Sequence, residues 1–470
     1  MSSTDDPVGR PIAELAVDIR DRRISPVDLV QAFLNRIERL EPSLHAYLEV
    51  TGAGALREAQ KAEREVAAGR WRGPLHGIPF AVKDLIDTRG VATTCASLIH
   101  RDRIPVEDAT VVARLRNAGA VLLGKLVMTE FAGIGYHPSV TPPSNPWNPH
   151  RWTGQSSSGS GVAVAARLCA FSLGSDTGGS LRYPASACGV VGLRPSYGRV
   201  SRAGTFPLAE SLDAIGPITG CVTDAALVLG VIAGEDPDDV TSLRDAVPDF
   251  VAASRRVPAD RPRIGVLQAL VDAAEGPVRE AVDAAVARYG ASGIACEPVE
   301  LLGLDEAVGA WAHIFTSECL LAHEAFFPAR ADDYSEALRR FLVEGAAVRG
   351  IDYARASMVR AKLARQIDEL LDRRSVLLLP TMGRLPPPLD EFPADGIIPA
   401  ASAGALLRYT APFALTGHPA ISIPCGSSPE GLPIGLQLVG RRCGEGALLG
   451  LARMFEAGTH WHRLRPPSTV

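Results

Sequence analysis

Apolar residues recur at helical spacing after Ser25-Pro26, where Val30, Phe33, Leu34, Ile37 and Leu40 form one stripe. Ser25 suits the N-cap of this predicted helix and Pro26 its first position, since proline lacks only an N–H that would be unpaired there. A second helix is predicted over 55–68, ended by Gly69. The pattern then changes. The short apolar run 78–82, introduced by Gly77 and with Pro79 near its start, predicts a buried strand that ends at Lys83. Residues 108–119 read as a helix with Val111, Val112 and Leu115 facing inward and Gly119 just past its end. A strand over 121–123 follows. Helix followed by strand, repeated, points to an α/β layered fold.

From about 240 to 370 the chain is rich in Ala and Arg with helical periodicity, which predicts a helical region covering the core. Strand signals return at 376–379, 420–423 and 436–439, and a last helix is predicted over 445–457. Pro386-Pro387-Pro388 reads as a rigid loop rather than a domain boundary. No internal repeat and no low-complexity linker interrupts the chain.

Composition narrows the function classes. At 470 residues the chain can bury a large core without disulfides or metals. Its net charge of −5 argues against a basic nucleic-acid binder. The cysteines at 95, 169, 188, 221, 296, 319, 425 and 443 include no Cys-x-x-Cys pair and no adjacent histidine cluster, so they read as reduced and mostly buried. The first seven residues, Met-Ser-Ser-Thr-Asp-Asp-Pro, have neither a basic nor an apolar stretch, so no signal peptide is expected. No window reaches the ~18 uninterrupted apolar residues of a membrane span. The expectation is a cytoplasmic protein without a membrane or nucleic-acid partner.

Candidate chemistry concentrates in two Gly/Ser loops. The first is Gly154-Gln155-Ser156-Ser157-Ser158-Gly159-Ser160-Gly161; the second is Gly174-Ser175-Asp176-Thr177-Gly178-Gly179-Ser180-Leu181-Arg182. The apolar segment between them reads as helix, then strand. Such loops bring backbone N–H groups close to a ligand and form an anion-binding concavity, for a phosphate or for a developing oxyanion. The phosphate reading is weak. No lysine follows the glycines as a P-loop requires, and Gly154, Gly159 and Gly161 are misspaced for a dinucleotide fingerprint. The Gly-x-Ser-x-Gly elbow is also absent.

These residues strongly resemble the amidase signature family. The stretch from Gly174 through Arg182 to Tyr183-Pro184 follows the second half of the family signature almost residue for residue. Gly77-Ile78-Pro79-Phe80-Ala81-Val82-Lys83-Asp84 looks like its lysine motif. Asp108 to Val112, Val191 to Val200, Gly417 to Pro424 and Gly431 to Gln437 match as well. The resemblance implies one α/β/α domain around a large twisted mixed sheet, spanning 1–470. Its catalytic core would be about 60–225 and 375–460, and its variable helical cover about 240–370. It further implies a catalytic triad in which Ser180 is the nucleophile, Ser156 the bridging serine on a cis peptide bond, and Lys83 the base. Two departures are Gln155 and Ser158, which stand where the family has glycine, so the cis bond is expected at Gln155–Ser156 or Ser156–Ser157.

The roles make chemical sense. A serine hydroxyl attacks only when a base takes its proton, and lysine is a base only when burial lowers its pKa by several units. The N–H groups of Thr177, Gly178, Gly179 and Ser180 would form the oxyanion hole. Asp176 and Arg182 would brace the loop as an ion pair. Ser157 reads as a loop hydrogen-bonder and Asp84 as a loop support. Met128, Phe131 and Tyr136 fit either the substrate pocket or the core. His76, His418, His460 and His462 lack metal-ligand spacing, and Glu318 with His323, five apart, suits no shared helix face. No metal or cofactor is implied.

The expected reaction is hydrolysis of a small carboxamide to carboxylate plus ammonia or amine through an acyl-enzyme. One alternative is a glutaminase subunit of a tRNA-dependent amidotransferase, which needs a protein partner. Others are a hydrolase of urea-derived amides such as allophanate or carboxybiuret, and a catalytically dead binding protein. Substrate identity and oligomeric state, a homodimer included, stay open at this point.

Overall fold

Among the described residues, eleven strands form one mixed sheet: β1 (Tyr47–Val50), β2 (Pro79–Lys83), β3 (Val121–Leu126), β4 (Phe171–Asp176), β5 (Val191–Arg194), β6 (Ala214–Thr219), β7 (Arg263–Leu267), β8 (Ala295–Val299), β9 (Val376–Pro380), β10 (Ala420–Ser427) and β11 (Pro433–Gly440). The structure is a computed structural model that describes residues 7–256 and 262–469. The residues 1–6 of the N-terminal segment, read above for a signal peptide, lie outside the described residues.

The strand order is β1-β3-β2-β4-β6-β5-β10-β11-β9-β7-β8. Every residue of β2, β3, β4, β6, β9 and β11 is buried, so helices cover both faces of the sheet. This is the single α/β domain that was expected. The two edges behave differently. β1 exposes three of its four residues, and in β8 no residue is fully buried.

The predicted punctuation holds at the first long helix. It runs Pro26–Leu44, and the Ser25 hydroxyl accepts from the N–H groups of Val27 and Asp28. The helix predicted to start at 108 runs Thr110–Asn117, and Gly119 has the positive φ of +84° expected of a residue closing a helix. The last helix, Glu445–Ala457, has the predicted bounds.

The stretch 240–370 corrects the expectation of a purely helical cover. It supplies helices Gly276–Ala291, Leu304–His323, Glu336–Ala347 and Gly350–Leu371, but also β7 and β8, which extend the sheet beyond β9 in parallel. β8 contains Pro298, which reads against a strand in the sequence but is tolerated at an edge. The strands β1, β5 and β6 were not predicted either.

One part of the topology positions the site. β2 runs parallel to both β3 and β4, with Phe80 opposite Phe171 and Val82 opposite Leu173. The carboxyl ends of β2 and β4 therefore lie side by side, the place where open α/β sheets bind ligands. Lys83 ends β2, and Asp176 ends β4 just before the second Gly/Ser loop.

Candidate active site

Lys83 is fully buried, and its Nζ lies 2.6 Å from Ser156 Oγ and 2.8 Å from Ser175 Oγ. No described carboxylate forms an ion pair with it. Burial, opposed only in part by the more distant charges of Asp213 and Asp176, lowers its pKa to about 7. The peptide bond Gln155–Ser156 is cis, at the first of the two predicted places. Ser156 is buried, whereas Ser180 is half-buried and lines a cleft together with Gln155, Thr177 and Gly178. Lys83 and Ser156 thus meet in the interior and Ser180 stands at the cleft, and among the described residues no hydrogen bond joins Ser156 to Ser180.

The second loop is held from inside by Asp176. Its carboxylate takes a two-pronged contact from Arg182, with Nη2 at 2.8 Å and Nε at 3.0 Å, and accepts from Leu181 N–H at 3.2 Å. Arg194 Nη1 donates to the Asp176 carbonyl and lies beside the same carboxylate. Burial pushes the Asp176 carboxyl up, but the two guanidinium groups outweigh it and hold it at about 2. Arg182 also donates to the Thr410 carbonyl and to Gln437 Oε1, tying the loop to β11.

The carbonyl groups of the loop are anchored from outside. Trp311 Nε1, on helix Leu304–His323, donates to the Thr177 carbonyl at 2.9 Å. Thr410 Oγ1 donates to the Gly178 carbonyl at 2.5 Å. That leaves the Thr410 hydroxyl without a second proton, so its contact with the Tyr183 hydroxyl is donated by tyrosine. A trans peptide unit points its C=O and its N–H in opposite directions. Anchoring these two carbonyls on one side therefore fixes the N–H groups of Gly178 and Gly179 on the other. The described residues give no acceptor to the N–H groups of Gly178, Gly179 and Ser180. Side chains would obstruct this arrangement: a Cβ on Gly178 would lie 2.6 Å from Trp311, and Gly179 has a φ of +141°. Thr177 itself donates its hydroxyl to the buried Asp213, at 2.5 Å.

The structure separates the remaining candidates. Ser157 exchanges hydrogen bonds with the backbone of Ser175, as read for a loop support. Asp84 accepts from Thr94 and Ala96 and stands 3.6 Å from Lys125 Nζ, a second buried lysine. Met128 and Phe131 are core residues, and Tyr136 donates to Ser158 Oγ; the cleft is lined instead by their neighbours Ala132, Gly133 and Ile134. His418 is held by Thr416 and Asp368. Glu318 is occupied by Ser211 and Tyr353, while His323 meets Tyr334. Five of the cysteines are buried and all eight are free thiols, Cys443 being exposed. Among the described residues no group of three or more His, Cys, Asp or Glu side chains could hold a metal ion, and no helix is long and apolar enough to cross a membrane.

Sequence reasoning missed Ser175, Trp311, Thr410, Asp213 and Lys125. Ser175 alone had a signal, its place inside the second loop.

A family model described as Amidase matches residues 28–449. The chain belongs to the amidase family, and it is an amide-hydrolysing enzyme. AmiD of Mycobacterium tuberculosis, which carries the name of an amidase, is 40% identical over 97% of this chain and 95% of its own length. A glutamyl-tRNA(Gln) amidotransferase chain of Thermosynechococcus vestitus is 38% identical, over 97% of this chain and 99% of its own length. Among solved structures, the peptide amidase of Stenotrophomonas maltophilia superposes with a TM-score of 0.83 at 32% identity, covering 98% of this chain and 99% of that one.

Proposed function

We propose that this amidase cleaves a small carboxamide through an ester on Ser180, with Lys83 as base and Ser156 as proton relay. The observation that carries the reading is a fully buried lysine whose Nζ has a serine hydroxyl at 2.6 Å and, among the described residues, no paired carboxylate. Such a lysine is neutral in a substantial fraction of molecules near pH 7, and a neutral amine accepts a proton.

In the first half-reaction Ser180 Oγ attacks the amide carbonyl carbon as its proton passes to Ser156 Oγ, and the Ser156 proton passes to Lys83 Nζ. The negative charge that develops on the carbonyl oxygen is met by the N–H groups of the 177–180 loop, with Gly178 and Gly179 pre-set by Trp311 and Thr410. The C–N bond then breaks as the nitrogen takes a proton back along the same relay, and ammonia or an amine leaves. In the second half a water molecule attacks the Ser180 ester, and its proton follows the same path. Carboxylate leaves and Ser180 regains its hydrogen. Every proton and electron pair is carried by these side chains and water, so the cycle uses no cofactor.

Asp176 and Arg182 act as a brace beneath the loop, not as acid or base. The division of labour follows the chain: 60–225 and 375–460 carry the catalytic core, while 240–370 contributes helix Leu304–His323 to the cleft wall.

The test is ammonia release from a panel of primary amides. Wild-type activity that disappears in both Ser180→Ala and Lys83→Ala supports the assignment. Full activity in either variant sinks it.

A further inference from the structure

The wall of the cleft at Ser180 carries information about the acyl group. Trp152, Tyr183, Trp311, Phe315 and Phe392 line it, joined by Ile398 on the far side. None of its lining residues is Asp, Glu, Lys or Arg. The charged groups nearest to the loop are already committed: Asp176 is paired with Arg182 and Arg194, Asp213 accepts from Thr177 Oγ1 and from the N–H groups of Leu208 and Ala209, and Lys83 lies behind Ser156. Trp311 and Phe315 stack at 4.7 Å with an interplanar angle of 8°, forming a flat aromatic surface above Gly178.

We propose that the substrate class is a primary or simple amide whose acyl part is uncharged and apolar, and that glutamine and other amides with a charged acyl part are excluded. The inference rests on the reading of Ser180 as the nucleophile. Its physical basis is desolvation. A glutamine side-chain amide placed at Ser180 would bring an ammonium and a carboxylate against this wall, where neither finds a counter-charge, and an unpaired ion removed from water is strongly disfavoured. A site of this composition thus separates charged from neutral acyl groups more sharply than it separates neutral groups from each other, because the removal of one methylene changes rates only modestly.

The experiment uses two fluorophosphonates of equal chain length on the full-length protein, one with an alkyl tail and one with a terminal carboxylate, with the adduct located by mass spectrometry. Amide hydrolysis of benzamide, isobutyramide, succinamate and glutamine runs beside it. Expected is labelling of Ser180 at least ten-fold faster by the alkyl probe, and kcat/KM for the neutral amides at least a hundred-fold above glutamine. Equal or faster labelling of Ser180 by the carboxylate probe, or turnover of glutamine on a par with the neutral amides, overturns the substrate class and leaves the nucleophile standing. Absence of label on Ser180 from either probe overturns the nucleophile, and the substrate class with it. Ile398→Arg, a change at a partly buried wall position, checks the cause: it is expected to move the labelling ratio at least ten-fold toward the carboxylate probe, and an unchanged ratio counts against the wall as the discriminating element.

Discussion

Two lysines end up buried on neighbouring strands, and they have opposite surroundings. Lys83 closes β2 and, among the described residues, its Nζ meets two hydroxyl groups, those of Ser156 and Ser175, and no carboxylate. Lys125 sits in the adjacent strand β3, where its Nζ donates to the Ile86 carbonyl at 2.5 Å and to Thr93 Oγ1 at 2.7 Å, with the Asp84 carboxylate at 3.6 Å. Burial lowers the pKa of both. Only Lys125 is given an anion that opposes the shift at short range. The comparison teaches that burial alone does not make a base. A buried lysine with a carboxylate is a structural cation, whereas one with hydroxyl neighbours is free to lose its proton and to exchange it with them.

The comparison is broken most directly by removing each amine in turn. Lys83→Ala is expected to lower kcat by about 10²–10⁴, the scale of general-base catalysis, with the melting temperature little changed. Lys83→Arg is expected to do the same, because a guanidinium keeps its proton. Steady-state kinetics with thermal denaturation read both. Lys125→Met should behave in the opposite way. It leaves Asp84 buried without its cation, at a cost of about 3–5 kcal/mol, while the folded fraction keeps kcat within about three-fold. Denaturant titration and active-site counting separate the two effects. A Lys125 variant that folds normally and is dead would invert the assignment.

The pH dependence sharpens the contrast. Since Lys83 must be neutral to accept a proton, log kcat/KM is expected to rise with unit slope as pH increases and to level off above about 7. The same depressed pKa has a stability consequence. Between about 7 and the ordinary lysine value of 10.5 the unfolded chain binds the proton that the folded one has lost, so the Lys83 contribution to stability rises with pH across that window. Lys83→Met should remove this component from the pH–stability curve.

The smallest expected effect concerns the outer anchors. Trp311→Phe keeps the aromatic stack but removes the N–H that holds the Thr177 carbonyl. A hydrogen bond of this kind contributes about 1–1.5 kcal/mol, so kcat should fall by about ten-fold with KM unchanged. Thr410→Val should act similarly through the Gly178 carbonyl. A change confined to KM in either variant would assign these residues to substrate binding instead.

What the sequence discloses about this site follows from where the constraints lie. Lys83, Ser156, Asp176, Arg182 and the Gly178-Gly179 pair stand in contiguous motifs because each must meet a geometric demand within a few residues of a strand end or, for Ser156, of a helix start. Lys125 is hidden for the opposite reason: a lysine after Leu123-Gly124 reads as the end of a strand, and only the folded partners Asp84, Ile86 and Thr93 let the strand continue to Leu126. Trp311 is equally invisible, since helical periodicity explains an apolar residue as core and cannot say which one rests on Gly178. The edge strand β8 was hidden by Pro298, and β7 by lying within an Ala- and Arg-rich stretch that reads as helix. The buried β9, β10 and β11 were legible as apolar runs, although their lengths were underestimated.

The most direct test of the central claim is the rate at which an alkyl fluorophosphonate labels Ser180, followed against pH in wild type and Lys83→Met. The account predicts an adduct on Ser180 whose formation rises with a midpoint near pH 7 and becomes slow and flat in the variant. An adduct on another residue, or a wild-type profile that Lys83→Met leaves unaltered, would contradict it.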